Sequence, residues 1–112
     1  MSGEAENEAT PLERVRAQAR EGAIRLTLHA QQEMVEEGIE LDAVLEAIIQ
    51  GQILEDYPHH RRGSCCLLCG FSQENRPLHI VCTTSQPMLI VITAYEPKPP
   101  KWVTPFQRRQ AL

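Results

Sequence analysis

Residues 78–95 read LHIVCTTSQPMLIVITAY, and the fold turns on how this stretch divides. Leu78–Thr84 and Leu89–Tyr95 are both rich in apolar and β-branched residues, with Ser85, Gln86 and Pro87 between them. Two such runs flanking a short polar break predict a pair of antiparallel strands. Side chains alternate faces along each strand. Pairing about Gln86 sets Ile80 opposite Ile92 and Cys82 opposite Ile90, an apolar face that belongs under helices. The other face then carries His79 opposite Thr93, with Val81, Thr83, Val91 and Tyr95 nearby.

Working outward, Cys65–Phe71 and Ile53–Tyr57 have the same character, and Pro58–Gly63 and Ser72–Pro77 separate them as turns. Links this short favour a meander. After Tyr95 the chain holds Pro97, Pro99, Pro100 and Pro105, which predicts an extended tail.

Before residue 52 the pattern is helical. Thr10-Pro11-Leu12-Glu13 is a capping box with proline at the first helical position, and Gly22 is a natural stop. Ile24–Leu28 reads as a short strand. Ala30–Glu37 ends at Gly38, and Leu41–Gln50 ends at Gly51. In the latter, Leu41, Val44, Leu45, Ile48 and Ile49 form one apolar face. The expected fold is α+β: a small antiparallel meander of four to five strands with two to three N-terminal helices on one face. The sheet's second, more polar face is left open, and function is sought there.

The chain has 112 residues, enough for one domain, here residues 11–112. Its aromatic residues are Phe71, Phe106, Tyr57, Tyr95 and Trp102, so the core must be aliphatic. Residues 1–10 are polar and acidic, expected to be a disordered tail, and lack the features of a signal peptide. No apolar run approaches the roughly 20 residues that span a bilayer, so a soluble cytoplasmic protein without membrane partners is expected.

The net charge of −4 hides an asymmetry. Residues 1–56 carry thirteen acids against four arginines, whereas residues 57–112 carry two acids against seven bases. The acidic balance argues against non-specific nucleic-acid binding, yet the basic half can present a local anion-binding surface. Glu33, Glu36, Glu37, Glu40, Asp42 and Glu46 meet no Lys or Arg on their helices. Such a face is either solvated or a dock for a basic protein partner.

Cys65, Cys66, Cys69 and Cys82 do not match zinc-site spacing, and no metal or cofactor is expected. They read as buried free thiols. A redox or metal role with His59 or His60 is a remote alternative.

Leu28-His29-Ala30, Met34 and Gly38-Ile39 resemble the start of a bacterial family known as domain-of-unknown-function family 4258. The same holds for Tyr57-Pro58, Gly70-Phe71, Arg76-Pro77-Leu78-His79-Ile80-Val81 and Thr93-Ala94-Tyr95-Glu96-Pro97, with Trp102 after them. The likeness covers about residues 24–102. That family in turn is similar to toxins of the RelE/BrnT type, whose small sheet carries two helices on one side. The resemblance implies a toxin-like endoribonuclease and a cognate antitoxin of the zinc-finger, helix-turn-helix kind. Glu33 and Glu37 stand where family members often carry arginines, which confines RNA contact to the sheet and tail.

Metal-independent RNA cleavage needs a base for the 2′-hydroxyl, a donor for the leaving oxygen, and cations for the transition state. His79, Tyr95, His29 and Arg62 are the catalytic candidates, with Arg61, Arg76, Lys101, Arg108 and Arg109 as RNA contacts. Each has a plainer role: His29 as a helix-start cap, His79 as a strand residue, Tyr95 packed under the tail, and His59–Arg62 as a solvated turn. Trp102 reads as a hydrophobic latch. The other function class is a non-catalytic binding module, and an exposed sheet edge leaves homodimerisation open.

Overall fold

The computed structural model describes residues 9–110, so most of the acidic tail lies outside the described residues. Helix α1, Pro11–Glu21, starts on the capping box. The Thr10 hydroxyl accepts from the Glu13 amide at 3.1 Å, and the Glu13 carboxylate accepts from the Thr10 amide at 2.9 Å. Strand β1, Ile24–Leu26, ends earlier than expected because Thr27 caps helix α2, Leu28–Glu37. The Thr27 hydroxyl accepts from the Ala30 amide at 3.1 Å. Helix α3, Leu41–Gln50, buries Val44, Ala47 and Ile48.

Strands β2 (Gln52–Tyr57), β3 (Cys65–Phe71), β4 (Pro77–Thr83) and β5 (Leu89–Tyr95) follow. The sheet has five strands in the order β1-β5-β4-β3-β2. β2 to β5 form the expected antiparallel meander, but β1 joins β5 in parallel, with Ile24 opposite Leu89 and Leu26 opposite Val91. The sheet is therefore mixed. Helices α2 and α3 carry the chain from β1 across to the far edge, where β2 runs opposite to β1, and the three reversals of the meander then leave β5 parallel to β1.

α2 lies against β5 and β1, α3 against β3 and β4, and α1 against α3. Val15, Ala30, Met34, Val44, Ile48, Cys66, Leu68, Ile80, Cys82, Leu89 and Val91 meet in the core between helices and sheet. Among the described residues no helix is long and apolar enough to cross a membrane.

The β4–β5 register differs from the one expected. Ile80 faces Ala94, Val81 faces Thr93, and Cys82 faces Val91 across a bulge. Nearer the hairpin loop the Thr83 hydroxyl accepts from the Ile90 amide at 3.0 Å, standing in for a backbone partner. The bulge sends Leu89, Val91 and Ala94 to the helix side, where Val91 was expected on the other face. The hairpin register is itself one residue off the expected one, and the extra residue of the bulge then brings Tyr95, not Thr93, opposite His79.

The second face is not open as expected. The tail is extended, but it folds back as a ribbon of β6 (Trp102–Thr104) and β7 (Gln107–Arg108) laid over β2 to β5. The molecule has three layers there: helices, sheet and ribbon.

Candidate functional site

His79 projects from β4 on the helix-free face, opposite Tyr95 on β5 and Cys69 on β3. It is 0 % exposed, so every ring atom must be matched by protein. Nε2 lies 2.6 Å from the carbonyl oxygen of Pro105. A carbonyl only accepts, so Nε2 carries the proton. Burial lowers the His79 pKa below its ordinary 6.5, with Arg108 and Lys101 adding to the effect and the Pro105 carbonyl and Glu55 opposing it. The ring is therefore neutral at pH 7, and Nδ1 is an acceptor. The Tyr95 hydroxyl, 3.2 Å away, donates to it. The partners thus fix one tautomer.

Trp102 seals the other side, edge-on to His79 with ring centres 4.3 Å apart. It is a latch, as its sequence position suggested. Its Nε1–H is buried with no hydrogen-bond partner among the described residues. Burial pushes the Tyr95 hydroxyl above 10.0, and the neighbouring Trp102 indole pulls the other way. Arg108 stacks 4.6 Å over Trp102 and pairs with both carboxylate oxygens of Glu55, at 2.6 and 2.9 Å. That pairing holds the Glu55 carboxyl down at about 2, and burial beside Glu55 pushes Tyr57 up to about 12. Phe106 packs on Phe71 at 6.0 Å.

Tyr95 is half-buried and reaches a shallow pocket of about 320 Å³ at the β5 edge. Glu33 and Glu37 line one wall, and Glu96, Lys98, Lys101 and Trp102 complete it. The carboxylates are there for the backbone. β1 stops at Leu26, so the outer edge of β5 beyond Val91 has no strand partner. Glu33 accepts from the Ala94 amide at 3.0 Å and Glu37 from the Glu96 amide at 2.9 Å. Glu46 likewise accepts from the Gln73 amide at 3.0 Å. Half of the acids read from sequence as an unpaired anionic face are thus sheet and loop caps, leaving Glu36, Glu40 and Asp42 exposed.

The other candidates scatter. His29 is exposed on the first turn of α2, 3.4 Å from Glu33, while Thr27 does the capping. Arg61 and Arg62 are exposed in the β2–β3 loop, where the Arg62 carbonyl accepts from Gln86. That loop lies beyond Thr83, four residues along β4 from His79, or about 13 Å. Arg76 commits its guanidinium to Glu96 at 2.7 Å and to the carbonyls of Glu37 and Gly38. Lys101 lines the pocket, and Arg109, exposed, donates its amide to the Lys101 carbonyl. Glu55, Lys98 and the Pro105 carbonyl were not found from sequence. All four cysteines are buried free thiols, with Cys66 directly opposite Cys82. No three metal-ligating side chains cluster among the described residues.

Fold and site together define a helix-backed mixed sheet carrying a hydrogen-bonded tyrosine–histidine pair beside a pocket lined by both glutamates and lysines. The chain belongs to the family described as a domain of unknown function, DUF4258, whose profile matches residues 26–96. That span contains His79 and Tyr95 but neither α1 nor the ribbon. No curated protein and no solved structure matches the chain.

Proposed function

We propose that this protein is a toxin-like endoribonuclease that cleaves RNA without a metal, Tyr95 being the residue that meets the substrate. The observation that carries this is the directed chain from the Tyr95 hydroxyl to His79 Nδ1 and from Nε2–H to Pro105. A phenol alone is a poor base at neutral pH. As the phenol passes its proton to His79 Nδ1, its oxygen can take the proton of a ribose 2′-hydroxyl while that hydroxyl attacks the adjacent phosphate, and the Pro105 carbonyl and Glu55 offset the imidazolium charge that burial disfavours. The attack closes a 2′,3′-cyclic phosphate and expels the 5′-oxygen, which leaves with a proton. Lys98 and Lys101 line the same pocket and suit both the transition-state charge and that proton donation, while Glu33 and Glu37 in its wall are each tied to a backbone amide. The family's resemblance to toxins of the RelE/BrnT type, drawn from its sequence motifs, points to the same chemistry, and an antitoxin would act by covering this pocket.

The purified chain is expected to cut single-stranded RNA in excess chelator, leave DNA intact, and produce 2′,3′-cyclic phosphate ends. RNA untouched under these conditions would favour the second reading, a non-catalytic binding module. The sealed position of His79, at 0 % exposure, is what favours that alternative.

A further inference from the structure

The ribbon outside the matched family span makes contact with the most buried polar ring of the helix-free face. A lid would need only to cover the pair. This ribbon does more: it hydrogen-bonds one ring nitrogen and so decides what the other nitrogen can do. We propose that the C-terminal ribbon is a working part of the site, the Pro105 carbonyl orienting His79 so that Nδ1 is the lone-pair nitrogen facing Tyr95. This rests on the reaction proposed above and assigns Pro105 as a positioning residue.

Three contacts seat that carbonyl. Arg108 is held by Glu55 of β2 through two hydrogen bonds, Phe106 rests on Phe71 of β3, and Trp102 stands edge-on to the imidazole. Imidazole has two neutral tautomers, and a base acting through Nδ1 needs the one with the proton on Nε2. Without the carbonyl, Nε2 loses its acceptor, the tautomers mix, and the Tyr95 hydroxyl loses a fixed partner. Hydroxyl and orienting acceptor on opposite nitrogens of one histidine are the arrangement of the Ser-His-Asp triad. The groups facing the ring are Tyr95 from β5, Cys69 from β3, Glu55 from β2, and Lys101, Trp102 and Arg108 from the ribbon segment.

Glu55→Gln in the full chain is the test, because it loosens the ribbon while leaving the Arg108 charge in place. A fall in cleavage then cannot be a lost phosphate contact. Nitrogen-15 spectra of the His79 ring should change from a single Nε2–H tautomer to a mixture. The rate should fall about tenfold or more. Phe106→Ala, which removes the Phe71 contact without touching a charge, should act in the same direction. An unchanged rate, or a faster one as for removal of a lid, overturns the proposal whatever the spectra show. If the unaltered protein cuts no RNA, the proposed reaction falls by itself. The spectra then decide the ribbon's role alone: loss of the single tautomer in Glu55→Gln supports it, and its retention overturns it.

Discussion

Tyr95→Phe is expected to lower RNA cleavage by about 100-fold or more, the usual scale for removing a general base. The substitution leaves the ring, which packs against His79 at 5.3 Å, and deletes only the hydroxyl that bridges pocket and imidazole. It also leaves the buried Nδ1 without a donor, which costs about 1–3 kcal/mol. The variant should therefore stay folded with a melting temperature lowered by several degrees. His79→Ala is the poorer probe. His79 is 0 % exposed and touches Tyr95, Trp102 and Pro105, so its removal would confound lost chemistry with lost packing. Steady-state cleavage by Tyr95→Phe, alongside a thermal melt, separates the two effects. Full activity in a folded Tyr95→Phe protein would remove the hydroxyl from the mechanism.

Gly70→Ala should have the largest effect on stability, about 3–5 kcal/mol, a severe loss for a small domain. Gly70 sits on β3 where α3 crosses closest. A Cβ built there would lie 1.9 Å from the Ala47 carbonyl oxygen and 2.8 Å from the Ala47 Cα. These are backbone atoms within a helix, so no side chain can swing aside. The helix must lift from the sheet, opening the contacts of Val44 and Ile48 in the core. The adjoining Gly51 repeats the constraint, its own built Cβ meeting the same carbonyl at 2.5 Å. Urea unfolding of the variant measures the loss directly. A change below about 1 kcal/mol would mean that α3 does not sit on Gly70 as described.

Much of the architecture was legible because it rests on local chemistry. Thr10, Pro11 and Glu13 announced α1, Gly22 and Gly38 its end and that of α2, and the apolar face from Leu41 to Ile49 gave α3 its buried side. Alternation placed His79 and Tyr95 on the face away from the helices. It could not place them opposite each other, because periodicity encodes neither the hairpin register nor the extra residue of the bulge between Val91 and Thr93. Parallel pairing of β1 with β5 was hidden for a related reason. A three-residue strand carries too little pattern to declare its neighbour.

The site was half legible. Residue type singled out His79 and Tyr95, but the group that sets the tautomer is a backbone carbonyl, and no side-chain motif marks it. Arg76 and Arg108 look alike in sequence as free cations. In the fold one binds the end of α2 and Glu96, and the other clamps the ribbon to Glu55. Glu33 and Glu37 looked like surface charge because the edge amides they cap come from a strand about sixty residues later, with pairs separated by 61 and 59 positions. Charge read along one helix cannot reveal a partner supplied by distant backbone.

In the proposed reaction a ribose 2′-hydroxyl gives its proton to Tyr95. A DNA oligonucleotide carrying a single ribonucleotide isolates that step. One cut is expected, immediately 3′ of the ribonucleotide, with a 2′,3′-cyclic phosphate on the upstream fragment, and no cut when that ribose is 2′-O-methylated. Cleavage that persists on the methylated strand would contradict it, as would an uncut ribonucleotide in a strand the protein otherwise binds.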